Sequence, residues 1–152
     1  MLASHGEPPE RVLDLYAGTG AMGLEALSRG ASSAILVESD RAMCGLIGDN
    51  AAALGFAANC QVVCAQVLRF LDRTGEQRFG WVFLDPPYAL GAKGELDRVL
   101  AALSRAGVVA PEGLVAVEHD FHCPPKEIHG TLVLQKTRRY GQTQVSLFEE
   151  RR

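Results

Sequence analysis

Asp85-Pro86-Pro87-Tyr88 is the segment whose residue types point most directly to chemistry. Two consecutive prolines fix φ at both positions and remove two backbone donors, so the segment is a stiff loop that presents carbonyl oxygens. An exocyclic amino group carries two N–H donors, and the Asp85 carboxylate and the Pro86 carbonyl are two acceptors for them. Accepting both draws the nitrogen from planar sp² towards sp³, leaving a lone pair directed at an electrophilic methyl group. Tyr88 adds a flat face on which an unstacked base can lie. Such a displacement depends on alignment and electrostatics and requires neither a metal nor a covalent nucleophile. Read alone, the four residues are equally a strand-terminating turn.

A second constellation lies upstream. Gly18-Thr19-Gly20-Ala21-Met22-Gly23 has G-x-G-x-x-G spacing, and Glu38 follows the first glycine by 20 residues. Glycines allow a tight turn and close backbone approach, and a helix N-terminus offers free N–H groups to an anion. An acid at the next strand end accepts both hydroxyls of a ribose. The anion is open between a dinucleotide pyrophosphate and the carboxylate of S-adenosylmethionine. Asp14 favours the second: a buried acid repels a pyrophosphate, yet it can pair with the α-ammonium of a methionine moiety. Gln66, after the third strand, has a side-chain carbonyl suited to an adenine amine, although an exposed glutamine at a helix start has the same signature.

These residues need elements to hold them. Arg11 to Tyr16 reads as a short apolar strand, Ala17 to Gly20 as a turn, and Ala21 to Arg29 as a helix closed by Gly30. Ala34 to Glu38 is a buried strand, and Asp40 caps a helix running to about Leu54, within which Gly45 and Gly48 leave packing to supply the stability. Gln61 to Cys64 is a third strand and Val67, Phe70 and Leu71 mark a short helix. Gly80 to Leu84 is a fourth strand. Leu96, Val99, Leu100 and Leu103 form an amphipathic stripe on a helix of about residues 95–105. Leu114 to Glu118 is a fifth strand, and Ile128 to Thr137 with Gln142 to Phe148 reads as a hairpin turning at Tyr140-Gly141. Five β-then-α units and a hairpin predict an α/β fold, a Rossmann-like, mainly parallel sheet with a C-terminal antiparallel hairpin. Ligands of such sheets sit at the C-terminal strand ends, where every candidate residue above falls.

With 152 residues, 47% hydrophobic and 22% charged, the chain has the content of a single domain, 1–152. No apolar run is long enough to span a membrane and no secretory leader is legible, so a cytoplasmic protein without membrane contact is expected. The four cysteines lack C-x-x-C spacing and read as buried free thiols. His119, His122 and Cys123 lack a fourth ligand and read as part of a surface loop, so no metal is expected. The net charge of −3 disfavours a general nucleic-acid coat protein. From Lys126 onward, however, six basic side chains face three acidic ones, so a polyanion would meet this end first.

Taken together, Asp14-Leu15-Tyr16-Ala17-Gly18-Thr19-Gly20, Gly23-Leu24-Glu25-Ala26-Leu27-Ser28-Arg29-Gly30-Ala31, Val37-Glu38, Leu84 to Tyr88 and Arg139-Tyr140-Gly141 resemble the bacterial 16S ribosomal RNA guanine-N2 methyltransferase family. The resemblance covers nearly the whole chain. It implies a class I methyltransferase fold, S-adenosylmethionine as methyl donor, and methylation of a guanine N2 in RNA of the small ribosomal subunit. On this sequence it implies cofactor contacts at Asp14, Tyr16, Gly18, Gly20 and Glu38 and catalysis by Asp85, Pro86, Pro87 and Tyr88; Thr19 and Gln66 are further candidate cofactor contacts, and Lys136, Arg138, Arg139 and Tyr140 of the basic C-terminal stretch are the candidate RNA contacts. Two departures accompany it. Only Met1 to Glu10 precede the first strand, where such proteins usually carry a basic segment, so the chain reads as lacking that arm. Gln66 stands where an aspartate is usual. N6-adenine methylation of DNA, glutamine methylation of a protein, a non-catalytic cofactor- or RNA-binding module and a nicotinamide-dependent oxidoreductase are the alternatives.

Overall fold

The structure, a computed structural model, describes residue 6, residues 8–92 and residues 94–152. The segment Met1 to Glu10, expected to stand in place of a basic arm, therefore lies mostly outside the described residues.

Eight strands form one sheet, with helices on both faces. In chain order the elements are β1 (Arg11–Leu15), α1 (Ala21–Ser28), β2 (Ser33–Glu38), α2 (Arg41–Ala53), β3 (Cys60–Cys64), α3 (Val67–Leu71), β4 (Phe79–Leu84), α4 (Tyr88–Ala92), α5 (Glu95–Ala106), β5 (Val109–Asp120), β6 (Ile128–His129), β7 (Leu132–Tyr140) and β8 (Thr143–Glu150). The spatial order is β3-β2-β1-β4-β5-β8-β7-β6. The five strands β3, β2, β1, β4 and β5 are parallel, whereas β8, β7 and β6 join antiparallel. Strand order reverses between β1 and β4, which opens a crevice at their C-terminal ends.

Both faces of the central strands are covered, so their side chains sort into two cores. Leu13 and Leu15 of β1 pack with Val99, Leu100 and Leu103 of α5 and with Val67 and Leu71 of α3. Val12 packs on the other side with Leu24 and Leu27 of α1, Leu36 of β2 and Ile47 of α2. This double burial explains why the centres of β2 and β4 read as unbroken apolar runs and β1 as one interrupted by Asp14. The α5 stripe lies where the spacing predicts, and each fully buried side chain on it contributes roughly 1.5–3 kcal/mol of transfer free energy.

Three expectations need correction. Among the described residues no helix follows β5, so they form four β-then-α crossovers rather than five; β5 instead continues to Asp120 and pairs directly with β8. The strand expected over Ile128 to Thr137 is broken at Gly130, whose φ of +60° turns the chain, and a side chain at that position would collide with the Ser104 hydroxyl. Pairing of Tyr140 with Thr143 places the hairpin turn at Gly141-Gln142, one residue later than read.

The cysteines and histidines also differ from expectation. All four thiols are free, but Cys64 and Cys123 are exposed, because β3 is an edge strand and Cys123 follows the end of β5. His119 is no loop residue: it lies buried on β5, where its Nδ1–H donates to the Asp120 carbonyl at 2.8 Å, leaving Nε2 to accept from the Ser146 hydroxyl at 2.7 Å. Among the described residues no group of His, Cys, Asp and Glu is placed to hold a metal, and no helix is long and apolar enough to cross a membrane.

Candidate active site

The glycine turn leaves β1 through Tyr16, whose φ of 58° is a left-handed conformation that bulky residues rarely adopt. The strain is held from two sides. The Ala17 N–H donates to the Val37 carbonyl at 3.0 Å, and the Tyr16 hydroxyl donates to Glu95 at the start of α5 at 2.9 Å. Burial and the Glu95 carboxylate together push the Tyr16 hydroxyl pKa up, so the residue stays a neutral donor.

Close packing explains two glycines of the motif, Gly20 and Gly23. A Cβ at Gly23 would lie 2.9 Å from Leu36, and one at Gly20 3.0 Å from the same side chain, so α1 can press on β2 only if both positions are bare. Asp14 and Glu38 then tie the turn to the sheet. Asp14, 4% exposed, accepts the Gly23 N–H through Oδ2 at 3.0 Å. Burial pushes its pKa to about 7, opposed by that hydrogen bond and reinforced by the charges of Asp85 and Glu38. Glu38 accepts the Gly18 N–H through Oε1 at 2.9 Å and the Asp40 N–H through Oε2 at 2.8 Å. Both acids thus hold the turn, and among the described residues the second Asp14 oxygen has no partner. A buried acceptor left free beside a helix N-terminus fits a ligand with adjacent ammonium and carboxylate groups.

Beyond the turn lies a cleft of about 290 Å³ between the ends of β1, β2 and β3. Tyr16, Val37, Ser39, Gln66, Leu68, Leu90 and Glu95 line it. Its walls are largely apolar and its polar groups few, as a planar heteroaromatic ligand requires. Gln66 precedes α3 without capping it, so its side chain is not committed to the helix.

Asp85, Pro86, Pro87 and Tyr88 follow β4, the strand beside β1, and so open on the same crevice. Tyr88 begins α4, a short helix that the sequence pattern does not reveal, and its ring is 62% exposed. A smaller cavity of about 90 Å³ separates the loop from the end of β5; Asp85, Pro86, Tyr88, Leu96, Glu118, Asp120 and Thr143 are among its lining residues. Burial, with the charge of Glu118 adding to it, pushes the Asp85 pKa up to about 6. This carboxylate remains an acceptor at neutral pH and is basic enough to receive a proton.

Four expected RNA contacts lie on β7, but on two faces. Lys136, Arg138 and Tyr140 pair with Leu147, Val145 and Thr143 and share one face, with the Arg138 guanidinium 6.0 Å from the Tyr140 ring centre. Arg139 points the other way and stacks on Phe121 at 3.4 Å. Thr143, at the hairpin tip, also lines the cavity beside Asp85, so the basic strand adjoins the loop. Sequence reasoning missed Glu95 and Glu118. Glu95 lies 79 positions from its partner Tyr16, and β5 reads as ending at Glu118, with nothing to mark it as facing a cavity.

The family described as conserved hypothetical protein 95 matches residues 1–149. Ribosomal RNA small subunit methyltransferase D of Escherichia coli is 35% identical over 137 residues, which cover 90% of this chain and 67% of that protein. The structure of a conserved hypothetical protein of Streptococcus pyogenes is 32% identical, with a TM-score of 0.85 over 94% of this chain and 87% of that one. SMU.776, solved complexed with SAH, is 15% identical and has a TM-score of 0.78, over 97% of this chain and 47% of that one; it shares the fold.

Proposed function

The chain belongs to the family of conserved hypothetical protein 95, and from that premise we propose that it methylates ribosomal RNA of the small subunit, using S-adenosylmethionine, at the exocyclic N2 of a guanine. Its fold is that of the class I S-adenosylmethionine-dependent methyltransferases. The observation that carries the reading is the placement of the glycine turn and the Asp85 loop at the ends of adjacent strands, on either side of the strand-order reversal. The relative named as a small-subunit rRNA methyltransferase supports the substrate class.

When bound, S-adenosylmethionine supplies an electrophilic methyl group on a positively charged sulfur. The free oxygen of Asp14 and the first turn of α1 would hold its amino-acid end, with Tyr16 and Gly18, Thr19 and Gly20 forming the wall. Glu38 would accept the ribose hydroxyls, and Gln66 would meet the adenine amine. Asp85 and the Pro86 carbonyl accept the two N–H groups of the target amine, and the Tyr88 ring supports the base. As the new carbon–nitrogen bond forms and the carbon–sulfur bond breaks, one proton leaves the nitrogen, and Asp85 is placed to receive it. Pro87 keeps the loop stiff, so little rearrangement is needed at the moment of transfer. Lys136, Arg138 and Tyr140 line the approach for a polyanion next to that loop, while Arg139, on the other face, adds positive charge at the same strand end.

The test is transfer of labelled methyl groups from S-adenosylmethionine to small subunits purified from cells lacking the modification. Incorporation is expected with the wild-type chain and should fall on the order of 100-fold or more in Asp85→Ala. Undiminished incorporation in that variant would sink the assignment of the loop.

A further inference from the structure

Three carboxylates line the cavity beside Tyr88, and they are not equivalent. Asp120 is occupied, accepting the His122 backbone N–H at 2.7 Å and the His122 ring at 2.9 Å. Asp85 is the acceptor for the target amine. The Glu118 carboxylate makes no hydrogen bond or ion pair among the described residues, and the residue is exposed and lines the cavity. Its position follows from the register: Leu84 of β4 pairs with Val117 of β5, so Asp85 and Glu118 each follow one member of that pair. The Glu118 charge is felt at Asp85, where it adds to the rise in pKa.

A free acceptor one strand away from the amine acceptor, beside an exposed aromatic ring, fits a base with two adjacent donors on one edge. Guanine has this edge, with N1–H next to the N2 amine. Adenine and cytosine instead carry a lone pair on the ring nitrogen beside their amines. We propose that Glu118 is a specificity-determining residue: its carboxylate accepts the N1–H of the target guanine while Asp85 and the Pro86 carbonyl hold the N2 amine. A base with a lone pair at that ring position meets the carboxylate acceptor to acceptor and is rejected. This inference rests on the function proposed above and adds the means by which the base is chosen.

The experiment turns the N1 donor of the substrate base into an acceptor. Small subunits are reconstituted with ligated 16S RNA carrying either guanine or 2-aminopurine at the methylated position; 2-aminopurine keeps the N2 amine but has an acceptor at N1 and no O6, so the comparison with Glu118→Gln isolates the N1 contact. The wild-type chain should methylate guanine on the order of 30-fold faster, the effect of one unsatisfied charged hydrogen bond. In Glu118→Gln, whose amide can turn its N–H towards an acceptor, the preference should shrink to about threefold or less, with wild-type affinity for S-adenosylmethionine serving as the folding control. Equal wild-type rates on the two substrates, or a 30-fold preference that survives in Glu118→Gln, overturn the proposal. A wild-type chain that methylates neither substrate removes the underlying function, and this inference with it.

Discussion

Asp14 should make cofactor binding depend on pH close to neutrality. Burial raises its pKa from 3.8 to about 7, the Gly23 N–H partly offsets this, and the charges of Asp85 and Glu38 raise it further. A ligand whose α-ammonium pairs with this carboxylate must first displace its proton, which weakens binding by the factor 1 + 10^(pKa − pH). Between pH 7.5 and 5.5 that factor grows from about 1.3 to about 30, so S-adenosylmethionine should bind roughly 25-fold more weakly at the lower pH. The window stays below the α-amino pKa of about 7.7–8.0, so the ammonium form of the ligand predominates throughout. The sign for the free protein's stability follows from the same shift. The folded state holds this proton more tightly than the unfolded chain, so stability falls as pH rises from 3.8 to about 7 and is level above, by up to roughly 4 kcal/mol. Titration calorimetry at pH 5.5, 6.5 and 7.5, in buffers of different ionisation enthalpy, should show close to one proton released per ligand at the acid end. Asp14→Asn should bind more weakly at pH 7.5 and lose the pH dependence. Wild-type affinity constant within threefold across the window, or an unchanged slope in Asp14→Asn, would refute the reasoning.

The same substitution should have opposite signs at two glycines. Gly23→Ala forces a Cβ to within 2.9 Å of Leu36 and should cost about 1–2 kcal/mol in chemical denaturation, whereas Gly48→Ala enters open space on α2 and should add about 0.5–1 kcal/mol. Glu38→Ala releases the Gly18 and Asp40 N–H groups and removes the ribose acceptor, so S-adenosylmethionine affinity should drop about 10- to 100-fold by calorimetry. Lys136→Ala and Arg138→Ala should each lower the slope of log affinity for small-subunit RNA against log salt by about one, measured by filter binding, and leave cofactor affinity unaltered.

The parallel half of the fold is legible because each element carries its own local signal. The runs at Val12 to Leu15, interrupted only by Asp14, and at Ile35 to Val37 are apolar on both faces, and Leu96, Val99, Leu100 and Leu103 keep helical spacing. The antiparallel end is less legible. Without a helix after β5, only pairing with β8 decides that the strand continues through His119 to Asp120, and pairing partners are distant in sequence. In the site, Asp14, Gly18, Gly20, Glu38 and Asp85 to Tyr88 stand out because each lies at or just past a strand end at fixed spacing. Glu95 and Glu118 do not: Glu95 reads as the ordinary acid of a helix first turn and Glu118 as the polar end of a strand. Only the packing of α5 against the β1 end, and the β4–β5 register, give them neighbours that matter. Arg139 is the complementary case, grouped with Arg138 by sequence yet turned to the opposite face by strand alternation.

The claim that this chain methylates a guanine amine in small-subunit RNA is tested most directly by identifying the product. Unmodified small subunits are incubated with the chain and methyl-labelled S-adenosylmethionine, the RNA is digested to nucleosides, and the labelled species is assigned by mass spectrometry. Label confined to N2-methylguanosine, and lost in Asp85→Ala, is the predicted result. Label in N6-methyladenosine, label in ribosomal protein, or no label in either fraction would contradict it.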